Sequence, residues 1–137
     1  MLLLLDDTQS IYRPGQVWGY QTRACDEQSY LIVVKVDAAL ELTNIVHVCI
    51  EGVRVKDPLS GQWEVKTIGH LPIAEESLSA SVTELLGVTT HLPDFQEGYE
   101  TWRTEFDNSQ AGYFTVPVAA CVGLLAQAIE GATPASA

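Results

Sequence analysis

The chain has 137 residues, 47% of them hydrophobic, which is enough for one domain with its own core and too little for two. Its formal charge is −11, and the imbalance is greatest in the second half, where residues 67–137 hold nine acidic side chains against Arg103 alone. A surface of that sign repels a phosphate backbone or an anionic bilayer, so nucleic-acid and membrane binding are disfavoured.

Cys25, Cys49 and Cys121 are odd in number and lack CxxC spacing, which argues against a disulfide framework or a zinc knuckle and for a reducing, cytoplasmic setting. Met1-Leu2-Leu3-Leu4-Leu5 is apolar, but no basic residues precede it, Asp6-Asp7 follows, and it is too short for a signal peptide or a membrane span. It reads as either a strand or a disordered start. Residues 1–10 and 132–137 are the candidates for flexible ends of a single domain, 1–137.

Arg13-Pro14-Gly15 is a turn signal, and Gln16 to Arg23 after it alternates as a strand with Trp18, Tyr20 and Thr22 on one face. Tyr30 to Val36 is a near-continuous β-branched run, as expected of a central strand. From Asn44 onward Val46, Val48 and Ile50 alternate with His47, Cys49 and Glu51. Gly52 interrupts the pattern before Val53-Arg54-Val55-Lys56, which predicts a bulge or a bend. The turn Asp57-Pro58-Leu59-Ser60-Gly61 leads to a fourth strand, Trp63 to Ile68. Connections this short predict an antiparallel meander, because parallel neighbours need crossovers of about a dozen residues or more.

Glu75 and Glu76 fit the first turn of a helix carrying Leu78, Val82, Leu85 and Leu86 on one face and stopping at Gly87. Phe95, Tyr99, Trp102 and Phe106 then recur at helical spacing, with Asp94 and Glu97 placed for a capping box. Each such ring buries roughly 150–250 Å² when packed. The stripe is read as core packing in preference to an aromatic ligand wall. Gly98 costs about 1 kcal/mol in a helix interior and predicts another backbone passing close by. Tyr113 to Val116 is a short strand that could extend the sheet. Pro117 then opens a last helix with Val118, Val122, Leu125 and Ile129 as its core stripe and Gly131 as its stop. That helix is apolar nearly all round, which predicts burial on a second side: a homodimer contact through Ala120, Leu124 and Ala128. The fold class expected is α+β, a curved antiparallel meander of four to five strands packed by three helices.

No GxSxG, P-loop, Rossmann glycine pattern or HExxH is present, so no cofactor is expected. His47 alternates with core valines and reads as structural. His70 and His91 each precede Leu-Pro at an element boundary, where sites often lie. A hydrolase reading pairs His70 with Glu76 or Asp94 and uses Arg23 as an anion clamp. A weaker metal reading takes His70, His91 and Asp94.

Pro14-Gly15-Gln16-Val17-Trp18, His70-Leu71-Pro72, Leu92-Pro93-Asp94-Phe95 with Glu97-Gly98-Tyr99 and Trp102, and Ala111-Gly112 with Phe114-Thr115 occur in that order. Together they resemble a set of small uncharacterised bacterial proteins, over about Tyr12 to Ile129. The resemblance implies a bacterial, cytoplasmic, single-domain protein and carries no activity, cofactor or catalytic residue.

The expected function is therefore a non-enzymatic binding domain for a small apolar ligand or a protein partner, with Trp18, Tyr20, Arg23, His70 and Trp102 as its candidate surface. The alternatives are the hydrolase using His70, Arg23 and a carboxylate, and an acidic inhibitor or immunity-type protein for a basic partner.

Overall fold

The computed structural model describes residues 4–6, 10–39 and 43–131. The meander is present: β2 (Gln16–Tyr20), β3 (Tyr30–Ala39), β4 (Asn44–Lys56) and β5 (Trp63–Ala74) lie side by side, each antiparallel to the next. The short β1 (Leu4–Asp6) adds to the far end of β3. Of the ends expected to be flexible, residues 1–3, 7–9 and 132–137 lie outside the described residues, and Ser10 is buried. Gly52 adopts a φ of +79° where the β4–β5 register slips, which is the bulge its place in the pattern predicts.

The segment after β5 departs from its helical pattern. Helix α1 spans only Glu75–Ser81, and Val82–Val88 is a strand, β6, antiparallel to the outer side of β2. Leu78 is fully buried as expected, whereas Leu85 and Leu86 are about half exposed. The apolar spacing of a short run fits both periods, and here an open sheet edge decides between them. Two glycines admit the new strand. A Cβ on Gly15 would lie 2.5 Å from the Thr89 carbonyl oxygen, and one on Gly19 would lie 2.8 Å from Thr83 Oγ1. β6 can lie flush against β2 only because these positions carry no side chain.

This topology sets the shape of the sheet. Strands β5 and β6 are its opposite edges, four spacings or about 19 Å apart if the sheet were flat. Yet α1 joins them with no intervening residue, and seven helical residues span only about 10 Å. The sheet therefore curls around α1, drawing its edges together. The chain is α+β, an antiparallel curved sheet with three helices, and among the described residues no helix is long and apolar enough to cross a membrane.

The helices divide between the two faces. Val46, Val48, Leu71, Ile73 and Leu78 pack with Val118, Cys121, Val122 and Ala126 of α3 (Val118–Glu130) in one apolar core. Tyr99, Trp102 and Phe106 of α2 (Gln96–Asp107) pack on the opposite face with Ala39 and Ile45. The aromatic stripe is thus core, as its spacing predicts, but it is separated from the other helices by the sheet. The capping box does not form: Phe95 is the N-cap residue and no side chain caps the helix. On α3, Pro117 and Gly131 are the two caps, and Ile129 is exposed instead of joining the core stripe. Ala120, Leu124 and Ala128 face outward, so the helix is buried on one side. The expected strand at Tyr113–Val116 reduces to one bridge, in which Phe114 donates to the Pro72 carbonyl and accepts from the Ala74 amide on the free edge of β5. Too few residues remain before Pro117 to pair further.

Candidate functional site

The register of the meander builds a polar cluster under α2. Lys35 lies opposite His47 and Asp37 opposite Ile45, while His47 lies opposite Pro72. Side chains two residues apart share a face, so Lys35, Asp37, Ile45, His47, His70 and Pro72 all project toward α2. Diagonal neighbours on three adjacent strands then come within hydrogen-bond reach.

Asp37 Oδ2 lies 3.0 Å from His47 Nε2, and His47 Nδ1 lies 2.8 Å from His70 Nε2. The Tyr99 hydroxyl donates to the same Asp37 oxygen at 2.8 Å, and Arg103 donates to the Tyr99 hydroxyl at 3.1 Å. Lys35 Nζ stands 3.8 Å from Asp37 Oδ1 and 5.3 Å from the centre of the Tyr99 ring. The ring of Trp102 closes over His47, with centroids 4.7 Å apart. Asp37 and His47 are both buried, and His70, at the outer end, is half-buried.

Protonation follows from these partners. Burial alone would raise the Asp37 carboxyl, but hydrogen bonds from His47 and Tyr99, with the charges of His47 and Lys35, hold it below its ordinary value. Burial lowers His47 despite the opposing pull of Asp37. His70 is lowered to about 4, first by burial and then by the adjacent His47. Burial, then the bond to Asp37, pushes Tyr99 up. At neutral pH the cluster is thus an ionised carboxylate with two neutral imidazoles and a neutral phenol. An ionised Asp37 can only accept, so His47 carries its hydrogen on Nε2 and His70 must donate from Nε2 to His47 Nδ1. His70 Nδ1 is left as an acceptor with no protein partner among the described residues.

Next to this chain of bonds lies an open groove of about 460 Å³, lined by Pro72, Trp102, Gly112, Tyr113 and Phe114. Trp102 is held as its wall by an Nε1–H bond of 2.7 Å to the Gly112 carbonyl.

Of the five candidate surface residues, the fold brings together two, His70 and Trp102, with ring centroids 6.0 Å apart. Trp18 and Tyr20 belong to the other face. Trp18 meets Tyr12 edge to face and leans on the apolar core, and Tyr20 is buried there with its hydroxyl 2.7 Å from Ser29 Oγ. Arg23 is elsewhere again, bonded to buried Asp26 at 2.6 Å and to the Arg54 carbonyl. A second depression, of about 440 Å³ beside Cys25, Asp26 and Arg54, is built on this pair. Its Asp26 carboxylate already serves Arg23 and the Arg54 amide, a structural task.

The hydrolase set is not assembled. The carboxylate tied to His70 is Asp37, by way of His47, whereas Glu76 accepts from Thr43 and Asp94 is exposed. Among the described residues no serine, threonine or cysteine hydroxyl or thiol bonds to His70. His91 is exposed with its amide on Thr89, and no trio of His, Cys, Asp or Glu among the described residues stands close enough to hold a metal ion.

Gly98 has the close neighbour its position predicts, but that neighbour is a side chain. A Cβ there would lie 3.2 Å from His70 Cβ. Asp37 escaped the sequence reading because the β-branched run ends at Val36. Extending the antiparallel pairing by one residue beyond that run would have set Asp37 across from Ile45, diagonal to His47.

Compared with known proteins, the chain matches no family model, no curated protein and no solved structure.

Proposed function

We propose that the protein is a non-enzymatic binding domain for a small apolar ligand, held in the groove between β5, α2 and residues 112–114. The observation that carries this reading is the groove itself: an apolar depression of about 460 Å³ whose wall, Trp102, is fixed by the hydrogen bond to Gly112. Its size falls in the range usual for small-molecule sites, and its wall is mostly aromatic with few polar groups. The histidine chain beside it has no nucleophile to activate among the described residues, so its work is to hold α2 on the sheet. Titration with toluene and indole, followed by the Trp102 indole N–H resonance, tests the reading. Saturable shifts at Trp102 and at the Gly112 and Phe114 amides are expected, with weaker binding in Phe114→Ala. Unmoved resonances up to the solubility limit in folded protein would overturn it.

The same proposal includes a homodimer through α3. Leu124 is 56% exposed between the exposed Ala120 and Ala128, an apolar strip on a helix whose other side is core. Light scattering across a dilution series is expected to give twice the chain mass at high concentration, and Leu124→Glu the single mass. A single mass throughout for the unmodified chain removes the dimer and leaves the groove untouched.

A further inference from the structure

Beyond the bulge at Gly52 the β4–β5 hairpin carries a surface unlike the rest of the chain. Val53 and Val55 point into the apolar core. Arg54 and Lys56 alternate with them and so point to the other face, opposite Val65 and Trp63 of β5. Helix α2 packs on that face farther along, at Ala39, Ile45 and His47, and here Trp63 and Val65 are 50% and 70% exposed. Lys66 is taken by Glu64 at 3.0 Å, but Arg54 and Lys56 have no carboxylate within ion-pair distance among the described residues. The Arg54 guanidinium lies over the Trp63 ring, 5.7 Å from its centre, so its charge already stands above β5. In a chain of net charge −11 this is a local cationic and aromatic surface.

The outer side of β5 is open as well. It is the last strand of the sheet, and its outward main-chain pairing among the described residues is with Phe114 alone, at the Pro72–Ala74 end. A row of unpaired N–H and C=O groups has the spacing of an extended chain, and Phe114 shows this edge accepting one. We propose that the free part of this edge, Trp63 to Ile68, takes an extended acidic segment of a partner protein by strand addition. The main chain of about six partner residues pairs with β5, and carboxylates on the Trp63 face meet Arg54 and Lys56. This surface is independent of the groove beside Trp102.

The test titrates the full chain at pH 7 with two end-blocked peptides, TEVEVT and TKVKVT, which alternate alike and differ only in charge. Saturable shifts are expected at the amides from Trp63 to Gly69 and at the Trp63 indole N–H, with the Trp102 indole unmoved. TEVEVT is expected to bind about three- to tenfold more tightly, the effect of one or two exposed ion pairs. The chain's net charge favours the basic peptide everywhere else, so a preference for the acidic one comes from the local cations. Replacing both cations, Arg54→Glu with Lys56→Glu, changes exposed side chains only and should reverse the preference. The comparison of peptides is complete in the unmodified protein and stands even if that variant does not fold. Equal or weaker binding of TEVEVT, or shifts confined to residues outside β5, overturns the proposal. So does a doubled mass in Leu124→Glu that Val65→Lys returns to the single mass, because a second copy then takes the edge.

Discussion

The two faces of one sheet are built on different principles. The face under α1 and α3 is dry: Val46, Val48, Leu71 and Ile73 meet Leu78, Val118 and Val122, and their contribution comes from apolar area removed from water. The face under α2 is half aromatic and half ionic: Tyr99, Trp102 and Phe106 pack beside a buried carboxylate whose partners, Lys35, His47 and Tyr99, come from two strands and a helix. An apolar core tolerates exchange among side chains of similar size. A buried network tolerates little, since removing one partner leaves another polar group without one. The strand alternation that gives Val46 and Val48 to one face and His47 to the other separates these principles by a single residue.

Replacing one member on each side breaks the comparison most sharply. Asp37→Ala strands the His47 N–H and the Tyr99 hydroxyl in a buried site and is expected to cost about 3–5 kcal/mol. Leu71→Ala on the dry face is expected to cost about 2–5 kcal/mol, through lost transfer energy and the cavity left behind. Urea denaturation at pH 7 measures both. If Asp37→Ala cost under about 1 kcal/mol, the network would not be what holds α2.

Acidity should separate the faces next. His70 titrates at about 4 in the folded chain against an ordinary 6.5, and His47 is lowered as well. Between those values the unfolded chain binds protons that the folded chain does not, so stability rises with pH there and is lost as pH falls from 6.5 toward 4. Asp37, also lowered, contributes stability that is complete above its ordinary 3.8 and disappears only below it, outside the histidine window. A lower Tm at pH 5 than at pH 7 is expected. Leu71→Ala should show the same drop, displaced downward, whereas His70→Gln should show a smaller one. An unchanged drop in His70→Gln would remove His70 from the pH response.

The difference between the faces also explains what could be read from the sequence. The meander, the bulge at Gly52, the aromatic stripe and the close approach at Gly98 follow from local pattern: alternation, helical spacing, and a glycine where none is needed locally. Trp102 was legible as a candidate from its stripe, whereas His70 was singled out as an element-end residue and in fact lies inside β5, which continues past Ile68 through Pro72 to Ala74. The partnership of Asp37 with His47 was not legible, since it depends on the register across a hairpin, and a shift of one residue would turn Asp37 to the other face. Strand β6 was lost to a helical spacing that Leu78, Val82 and Leu85 satisfy by coincidence. The signal against it lay elsewhere in the chain, in Gly15 and Gly19, whose missing side chains make room for a neighbouring strand.

Gly98 gives the smallest and most specific test, because two opposing effects meet there. Alanine in place of glycine favours an interior helix position by about 1 kcal/mol. Here the new methyl would stand 3.2 Å from His70 Cβ, closer than ordinary contact, so His70 has to give way by a few tenths of an ångström. His70 is poorly placed to do so, because its ring is tied in line to His47 and through it to Asp37. Gly98→Ala should therefore gain less than about 1 kcal/mol, or lose stability, in the unmodified chain. In a His70→Gly background, which removes the Cβ itself, the methyl has open space and the helix preference should reappear. A double-mutant cycle isolates that difference. A coupling near zero would mean that the close approach to the His70 Cβ does not limit what Gly98 can carry.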